Sequence, residues 1–175
     1  MQTRCALVGM PGSGKSTVGR HLARRLGLPF VDMDQRLEQQ LGCSIRSYFD
    51  QHGEAAFREH EAVLLAQLAD EPGDMVLSTG GGVVLRPENL ATLREGFTHV
   101  MYLRASADDI FRRLRHDRTR PLLQVADPLE RLRELYRTRD PLYREAAHYV
   151  IETGRPSVHT LVSMVMMQLE MVPGP

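Results

Sequence analysis

Short runs of apolar residues alternate along the chain with longer segments in which apolar residues recur every three or four positions. The apolar runs predict strands at 4–9, 30–34, 74–82, 99–105 and 149–153, because a short continuous apolar run is typical of a strand buried on both faces. Strands that alternate with helices predict an α/β fold. We expect three layers, with one parallel sheet of five strands covered by helices on both faces.

Capping residues, glycine and proline predict where the helices begin and end. Apolar residues four positions apart mark a first helix that ends at Gly27. Asp34 is predicted to cap the second helix. A late helix is predicted to begin at Asp127-Pro128 and to be interrupted by Pro141. Further helices are predicted at 44–49, 54–69, 87–95, 106–114 and 157–169.

The composition argues against several classes of function. The 175 residues include 22 Lys or Arg and 22 Asp or Glu, so no overall charge attracts nucleic acid or an anionic membrane. No apolar stretch reaches the length of a membrane span. The two cysteines lack a disulfide pattern, and the N-terminus lacks the layout of a signal peptide. We therefore expect one cytoplasmic domain over residues 1–175, and we expect it to be a monomer.

A glycine-rich segment follows the first predicted strand and precedes the first predicted helix. Its sequence, GMPGSGKST at 9–17, fits the P-loop pattern in the structural context that this motif requires. Backbone N–H groups of such a loop surround phosphates, and Lys15, the only lysine of the chain, adds a compact charge. The motif predicts binding of ATP or GTP. The candidate nucleotide-binding residues here are Gly12, Ser13, Gly14, Lys15, Ser16 and Thr17.

Two carboxylates lie in the second predicted strand. Asp32 and Asp34 are two positions apart, so in a strand they would point the same way. The Ser16 hydroxyl is suited to Mg²⁺, and the third predicted strand ends without a carboxylate that could serve as a second anchor. We expect Asp32 to hold Mg²⁺ with Ser16, directly or through water, and Asp34 to accept the proton of an attacking hydroxyl. The alternative is that Asp32 only caps a turn.

The remaining candidate residues suggest a pocket for an acid that carries hydroxyl groups. Arg58 and Glu61 lie one helical turn apart, so Glu61 could hold the guanidinium in one rotamer; a solvated ion pair is the alternative. The glycines at 80–82 leave the end of a strand free of side chains, so a ligand could lie against backbone N–H groups. Arg139, near the expected helix break, could supply a second guanidinium.

Six segments occur in the order and spacing seen in shikimate kinases, and the resemblance spans nearly the whole chain. They are GMPGSGKST, VDMD, FREHE at 57–61, STGGG, TRPLL at 119–123 and RDPLY at 139–143. Many NTPases share the first segment, whereas the other five together are much more specific. The resemblance implies a P-loop NTPase fold similar to that of nucleoside monophosphate kinases. It also implies transfer of the ATP γ-phosphate to the 3-hydroxyl of shikimate, with Mg²⁺ as cofactor, in the biosynthesis of chorismate and aromatic amino acids.

The resemblance also implies roles for residues at matching positions. Lys15, Asp34 and Arg120 would be catalytic, and Arg120 would be the lid arginine that reaches the phosphates. Arg113 and Arg155 would contact adenine, although the segment ETGRPS at 152–157 is shorter than the usual adenine loop of the family. The implied shikimate-binding residues are Asp34, Arg58, Gly80, Gly81, Gly82 and Arg139.

One region is expected to bind the substrate, and another is expected to close over the site. The helices at about 34–69 would bind shikimate, and residues 115–127 would form a lid that orders when the substrates bind. The lid segment carries several arginines that repel one another in an empty site, and it has few large apolar residues to hold it in place.

Three other functions fit parts of the sequence. A different small-metabolite kinase, such as a gluconate kinase, would have no evident need for both Arg58 and Arg139. A catalytically silent nucleotide-binding module should have lost Asp34 or Arg120, and this chain has both. A nucleic-acid-binding role is suggested only by RRLRHDRTR at 112–120, and the zero net charge and the lack of aromatic residues there argue against it.

Overall fold

The computed structural model describes residues 2–115, 125–154 and 156–171, and its strands form one sheet. The strands are β1 (Arg4–Val8), β2 (Phe30–Asp32), β3 (Met75–Ser78), β4 (His99–Arg104) and β5 (Tyr149–Glu152). They lie in the order β2-β3-β1-β4-β5, and each neighbouring pair is parallel. The predicted parallel sheet of five strands is confirmed.

Helices cover both faces of this sheet and give the predicted three layers. They are α1 (Lys15–Leu26), α2 (Met33–Leu41), α3 (Ile45–His52), α4 (Glu54–Asp70), α5 (Pro87–Gly96), α6 (Ala107–Leu114), α7 (Pro128–Ala146) and α8 (Val158–Met171). The apolar residues of α1 and α8 pack on one face, and those of α2 to α7 pack on the other. Within the described ranges, no helix combines the length and the apolar character that a membrane crossing needs.

The second strand is shorter than the sequence pattern predicts. β2 ends at Asp32 and α2 begins at Met33, so Asp34 lies in the first turn of a helix. The predictions that Asp34 caps this helix and that both carboxylates share a strand face are wrong. The Asp32 side chain accepts a hydrogen bond from the N–H of Gln35 at 3.2 Å and is the N-cap. Starting the helix here satisfies one of its free N–H groups and buries Met33 in the core.

Helix α7 continues through Pro141, so the predicted interruption is wrong. A proline inside a helix removes a hydrogen bond and costs about 3 kcal/mol. α7 offsets this cost because residues on both sides of the proline, among them Leu132 and Tyr143, are packed in the core. Arg139 therefore lies within the helix, one turn before Tyr143 and on the same face.

Arg4 connects the start of β1 to the ends of two helices. Its guanidinium is buried and lies 5.3 Å from the centre of the Phe97 ring. It donates hydrogen bonds of 2.5–3.3 Å to the carbonyl oxygens of Leu68, Ala69, Glu71, Gly73 and Gly96. Carbonyl oxygens at a helix C-terminus carry partial negative charge and stabilise a buried cation. Arg4 thus fixes one end of α4, the helix that carries Arg58 and Glu61.

Replacement of Arg4 by Met should lower the free energy of unfolding by about 3–5 kcal/mol, because buried carbonyl groups would lose their donor. Urea denaturation measures this change. Arg137→Met is a suitable control, because Arg137 pairs with Glu130 at the surface, and it should change stability much less. A loss no larger than that of the control would contradict the role of Arg4.

Candidate functional site

Two adjoining cavities lie at the carboxyl ends of the strands, where open α/β sheets bind their ligands. The first, of about 370 Å³, is lined by the glycine-rich loop and Asp32, and we call it the phosphate-loop cavity. The second, of about 440 Å³, is lined by Arg58, Arg131 and Arg139 among others, and we call it the arginine cavity. The residues that line both are Pro11, Asp34 and Gly81.

The glycine-rich loop needs glycine for its backbone conformation. Gly12 and Gly14 have φ angles of 83° and 96°, in the left-handed region that a side chain disfavours. α1 begins directly afterwards, so the N–H groups of its first turn are available to an anion. Gly12 and residues 14–17 line the phosphate-loop cavity as predicted. Ser13, in the same loop, is buried, and its N–H donates to the carbonyl oxygen of Met10 at 3.1 Å.

Lys15 lies across its own loop. Its ammonium group donates hydrogen bonds to the carbonyl oxygens of Gly9 at 2.8 Å and Met10 at 2.9 Å, and its side chain is buried. Backbone oxygens therefore hold a compact positive charge at the wall of the phosphate-loop cavity. This arrangement suits the recognition of phosphate groups.

Three side-chain oxygens meet at the first turn of α1. The Ser16 hydroxyl donates to Asp32 Oδ2 at 2.8 Å and lies 3.2 Å from the Ser78 hydroxyl oxygen. Asp32 uses its other oxygen to cap α2, so it is a cap as well as a partner of Ser16. Sequence reasoning missed Ser78, because its position beside Asp32 depends on the pairing of β2 with β3.

These oxygens fit Mg²⁺, a hard cation that prefers oxygen ligands and usually keeps several waters. Among the residues that the structure describes, no three or more His, Cys, Asp or Glu side chains form a metal-binding group. Ser16 and Asp32 could supply part of the coordination of Mg²⁺, and phosphate oxygens and water would complete it.

Asp34 lies at the boundary between the two cavities. Burial raises the pKa of its carboxyl, the charge of Lys15 opposes this rise, and the nearby Asp32 and Glu38 carboxylates add to it. The first turn of α2 thus brings Asp34 to the edge of the phosphate-loop cavity, although it does not come from a strand as predicted. A raised pKa makes a carboxylate a stronger base, so Asp34 is well suited to accept a proton.

Arg58 is held by two carboxylates and two aromatic rings. It donates hydrogen bonds to Glu61 at 2.9 Å and to Glu54 at 3.2 and 3.3 Å. The rings of Phe49 and Phe57 lie 5.9 and 5.3 Å from its guanidinium carbon. The alternative of a solvated ion pair with Glu61 is wrong, since the side chains of Arg58 and Glu61 are only 13% and 1% exposed. Burial raises the pKa of Glu61, and the positive charge of Arg58 opposes this rise.

The glycines at 80–82, which we call the glycine strip, make room for side chains from other elements. A Cβ atom at Gly80 would lie 2.8 Å from an Asp34 oxygen and 3.0 Å from a Glu61 oxygen. A Cβ atom at Gly82 would overlap the Arg58 guanidinium. None of these glycines has a positive φ angle. Glycine is therefore needed here because it lacks a side chain, and not because of its backbone conformation.

Arg139 reaches the arginine cavity from α7, as its predicted role in substrate binding requires. It lies near the buried Glu61 carboxylate, and its charge opposes the rise in the pKa of Glu61 that burial causes. Arg131, two turns earlier in the same helix, lines the same cavity and was missed by sequence reasoning. Arg131 and Arg139 are eight residues apart and share a face of α7, but which way that face points depends on how α7 packs on the sheet, and no local pattern shows this.

The predicted adenine and lid residues lie mostly outside the described part of the chain. Arg113 donates a hydrogen bond to the carbonyl oxygen of Thr153 at 2.6 Å, beyond the end of β5. Arg120, Arg155 and most of the predicted lid, residues 116–124, lie outside the described residues. Their roles, and contact of Arg113 with adenine, stay predictions.

Comparison with known proteins identifies the family to which the site belongs. A family model described as shikimate kinase matches residues 11–170. The chain is 60% identical to the shikimate kinase of Paracidovorax citrulli over 167 residues, which cover 94% of this chain and 91% of that protein. It is 54% identical to the shikimate kinase of Ralstonia nicotianae, with 93% of this chain and 85% of that protein covered.

Solved structures give the same result. A shikimate kinase from Acinetobacter baumannii in complex with shikimate has a TM-score of 0.92 and 39% identity, and the match covers 98% of this chain and 94% of that one. A gluconokinase from Sinorhizobium meliloti, at 19% identity and a TM-score of 0.58, shares the fold alone. The predicted P-loop NTPase fold is confirmed.

The steric role of the glycine strip can be tested at Gly82. Gly82→Ala should displace the Arg58 guanidinium from the buried Glu61 carboxylate and lower the free energy of unfolding by about 1–3 kcal/mol. In an Arg58→Ala background the same change should cost much less, because nothing then occupies the space of the new methyl group. Urea denaturation of the four proteins measures both effects. Equal losses in the two backgrounds would contradict the steric explanation.

Proposed function

The chain belongs to the shikimate kinase family, and from this premise we propose how its two cavities carry out the reaction. The family is one of kinases that phosphorylate shikimate with ATP as co-substrate. ATP binds with its phosphates in the phosphate-loop cavity, and shikimate binds in the arginine cavity. The observation that carries this proposal is that the two cavities meet at Asp34. A phosphate donor and an acceptor hydroxyl can therefore lie side by side, as direct phosphoryl transfer requires.

The phosphate loop and Lys15 bind the phosphates of ATP. N–H groups of residues 12–17 surround the phosphate oxygens, and the ammonium group of Lys15 moves from its backbone partners to the β- and γ-phosphates. Ser16 and Asp32 would hold Mg²⁺ next to these phosphates. When bound, Mg²⁺ neutralises part of the charge that develops during transfer.

The arginine cavity recognises shikimate through its carboxylate and its hydroxyl groups. Arg58 and Arg139 bind the carboxylate, because a guanidinium offers paired N–H donors to two carboxylate oxygens. The fixed orientation of Arg58 against Glu61 means that little of its freedom is lost on binding. Asp34 and the glycine strip contact the hydroxyl groups, and this fixes which one faces the phosphates.

Asp34 is the proposed base for the 3-hydroxyl of shikimate. It lies at the boundary with the phosphate-loop cavity, and its raised pKa gives it affinity for the proton that the attacking hydroxyl releases. Phosphoryl transfer then gives shikimate 3-phosphate and ADP.

Arg120, on the proposed lid at 115–127, neutralises charge on the transferred group, and Arg113 and Arg155 contact adenine. Residues 1–175 act as one cytoplasmic, monomeric domain.

The choice of substrate is the first test. With ATP and Mg²⁺, the kcat/KM measured from ADP release should be at least about a hundredfold higher for shikimate than for gluconate. A site built around particular hydroxyl and carboxylate positions rejects an acid that leaves its polar groups unpaired. Quinate, a ring acid closer in shape, should fall between the two. Equal or faster ADP release with gluconate would favour the rival small-metabolite kinase.

Replacement of Asp34 by Asn tests the proposed base. The amide has the same shape but cannot take the proton, so kcat should fall at least about a hundredfold while the affinity for ADP stays nearly unchanged. In the wild type, kcat should also fall as the pH drops through the raised pKa of Asp34, because the protonated carboxyl cannot act as a base. A kcat within about threefold of wild type, equivalent to less than 1 kcal/mol in the barrier, would exclude this role.

A further inference from the structure

Tyr143 of α7 is fully buried next to the arginine cavity. Its hydroxyl donates a hydrogen bond to the carbonyl oxygen of Gly81 at 2.5 Å. Gly81 lines both cavities and lies against Pro11 of the phosphate loop. The buried Tyr143 side chain thus holds Gly81, the central residue of the glycine strip, in place.

Arg139 lies one turn before Tyr143 on the same face of α7, and it lines the arginine cavity together with Gly81. Burial raises the pKa of Tyr143 to about 12, and the charge of the nearby Arg139 guanidinium opposes this rise. A phenol that donates its one proton to a carbonyl oxygen still has lone pairs to accept from a guanidinium. The buried oxygen that donates to Gly81 is therefore placed to accept a hydrogen bond from Arg139 as well.

We propose that Tyr143 is a positioning residue for shikimate, whose hydroxyl holds the Arg139 guanidinium in a fixed orientation relative to the glycine strip. The inference rests on the proposed binding of the shikimate carboxylate by Arg139. An unrestrained arginine loses considerable rotamer freedom when it binds a ligand. An arginine already held by a buried oxygen loses less, so the hydroxyl increases affinity for shikimate without contacting it.

The neighbouring Tyr102 provides a matched control. It is also buried, its ring centre lies 5.0 Å from that of Tyr143, and its hydroxyl donates to Asp140 at 2.6 Å. Tyr102→Phe therefore removes a hydroxyl of the same kind from the same cluster but leaves the bond to Gly81 in place. A general weakening of this cluster would affect both variants alike.

Isothermal titration of shikimate and of ADP should be carried out on the wild type, Tyr143→Phe, Tyr102→Phe, Arg139→Ala and the double variant Tyr143→Phe/Arg139→Ala. Tyr143→Phe should weaken shikimate binding about tenfold, the size expected for loss of one buried hydrogen bond to a charged group, and leave ADP binding within about twofold. Tyr102→Phe should leave both affinities near those of the wild type. In the Arg139→Ala background, loss of the Tyr143 hydroxyl should have less than about a twofold further effect.

The inference is overturned if Tyr143→Phe weakens shikimate and ADP equally, if it weakens shikimate no more than Tyr102→Phe, or if its effect adds fully to that of Arg139→Ala. Unchanged shikimate affinity in Arg139→Ala, with normal binding by the wild type, would instead overturn the proposed role of Arg139, and the inference with it.

If Tyr143→Phe does not fold, hydrogen exchange of the Arg139 guanidinium in the wild type replaces that comparison. It should be slower than exchange of the exposed Arg137, and equal rates would overturn the inference.

Discussion

The site depends on close contacts of the glycine strip with side chains that come from three other parts of the chain. Pro11 approaches it from the phosphate loop, Arg58 fills the space that a side chain at residue 82 would need, and the carboxylates of Asp34 and Glu61 approach residue 80. Any side chain here would push these groups apart. The strip therefore lets the phosphate-loop cavity and the arginine cavity adjoin, and the proposed phosphoryl transfer needs this arrangement.

Close packing around the strip also concentrates charge in a small volume. Asp34 and Glu61 both have a pKa raised by burial, and the Arg58 guanidinium pairs with Glu61 at 2.9 Å. A buried ion pair contributes little net stability, but the loss of one partner leaves the other charge unpaired and is costly. The structure thus keeps Arg58 in one orientation at little net gain in stability. The benefit lies in the proposed binding of shikimate, for which the guanidinium would already be oriented before the ligand arrives.

Much of this arrangement could be predicted from the sequence, and the exceptions have physical causes. Apolar runs identified all five strands, and the glycines and Lys15 identified the phosphate loop, because both signals are local. The errors came from competition between local signals and packing: burial of Met33 and capping by Asp32 moved Asp34 into a helix, and core packing carried α7 through a proline. The roles of Arg4, Ser78 and Tyr143 depend on partners far away in sequence, which no local pattern reveals.

The geometry of the loop also explains why a single lysine stands in a chain whose other cationic side chains are arginines and histidines. The ammonium group of Lys15 lies within hydrogen-bond distance of two carbonyl oxygens of a tightly curved loop, at 2.8 and 2.9 Å. A guanidinium is planar and wider, and its donors diverge, so it could not contact both oxygens from the same small space. An ammonium group can also rotate its three donors freely, and it can exchange carbonyl oxygens for phosphate oxygens with a small movement of its stem. For the proposed binding roles, the loop therefore needs a compact charge that can change partners, whereas the arginine cavity needs planar cations held in place.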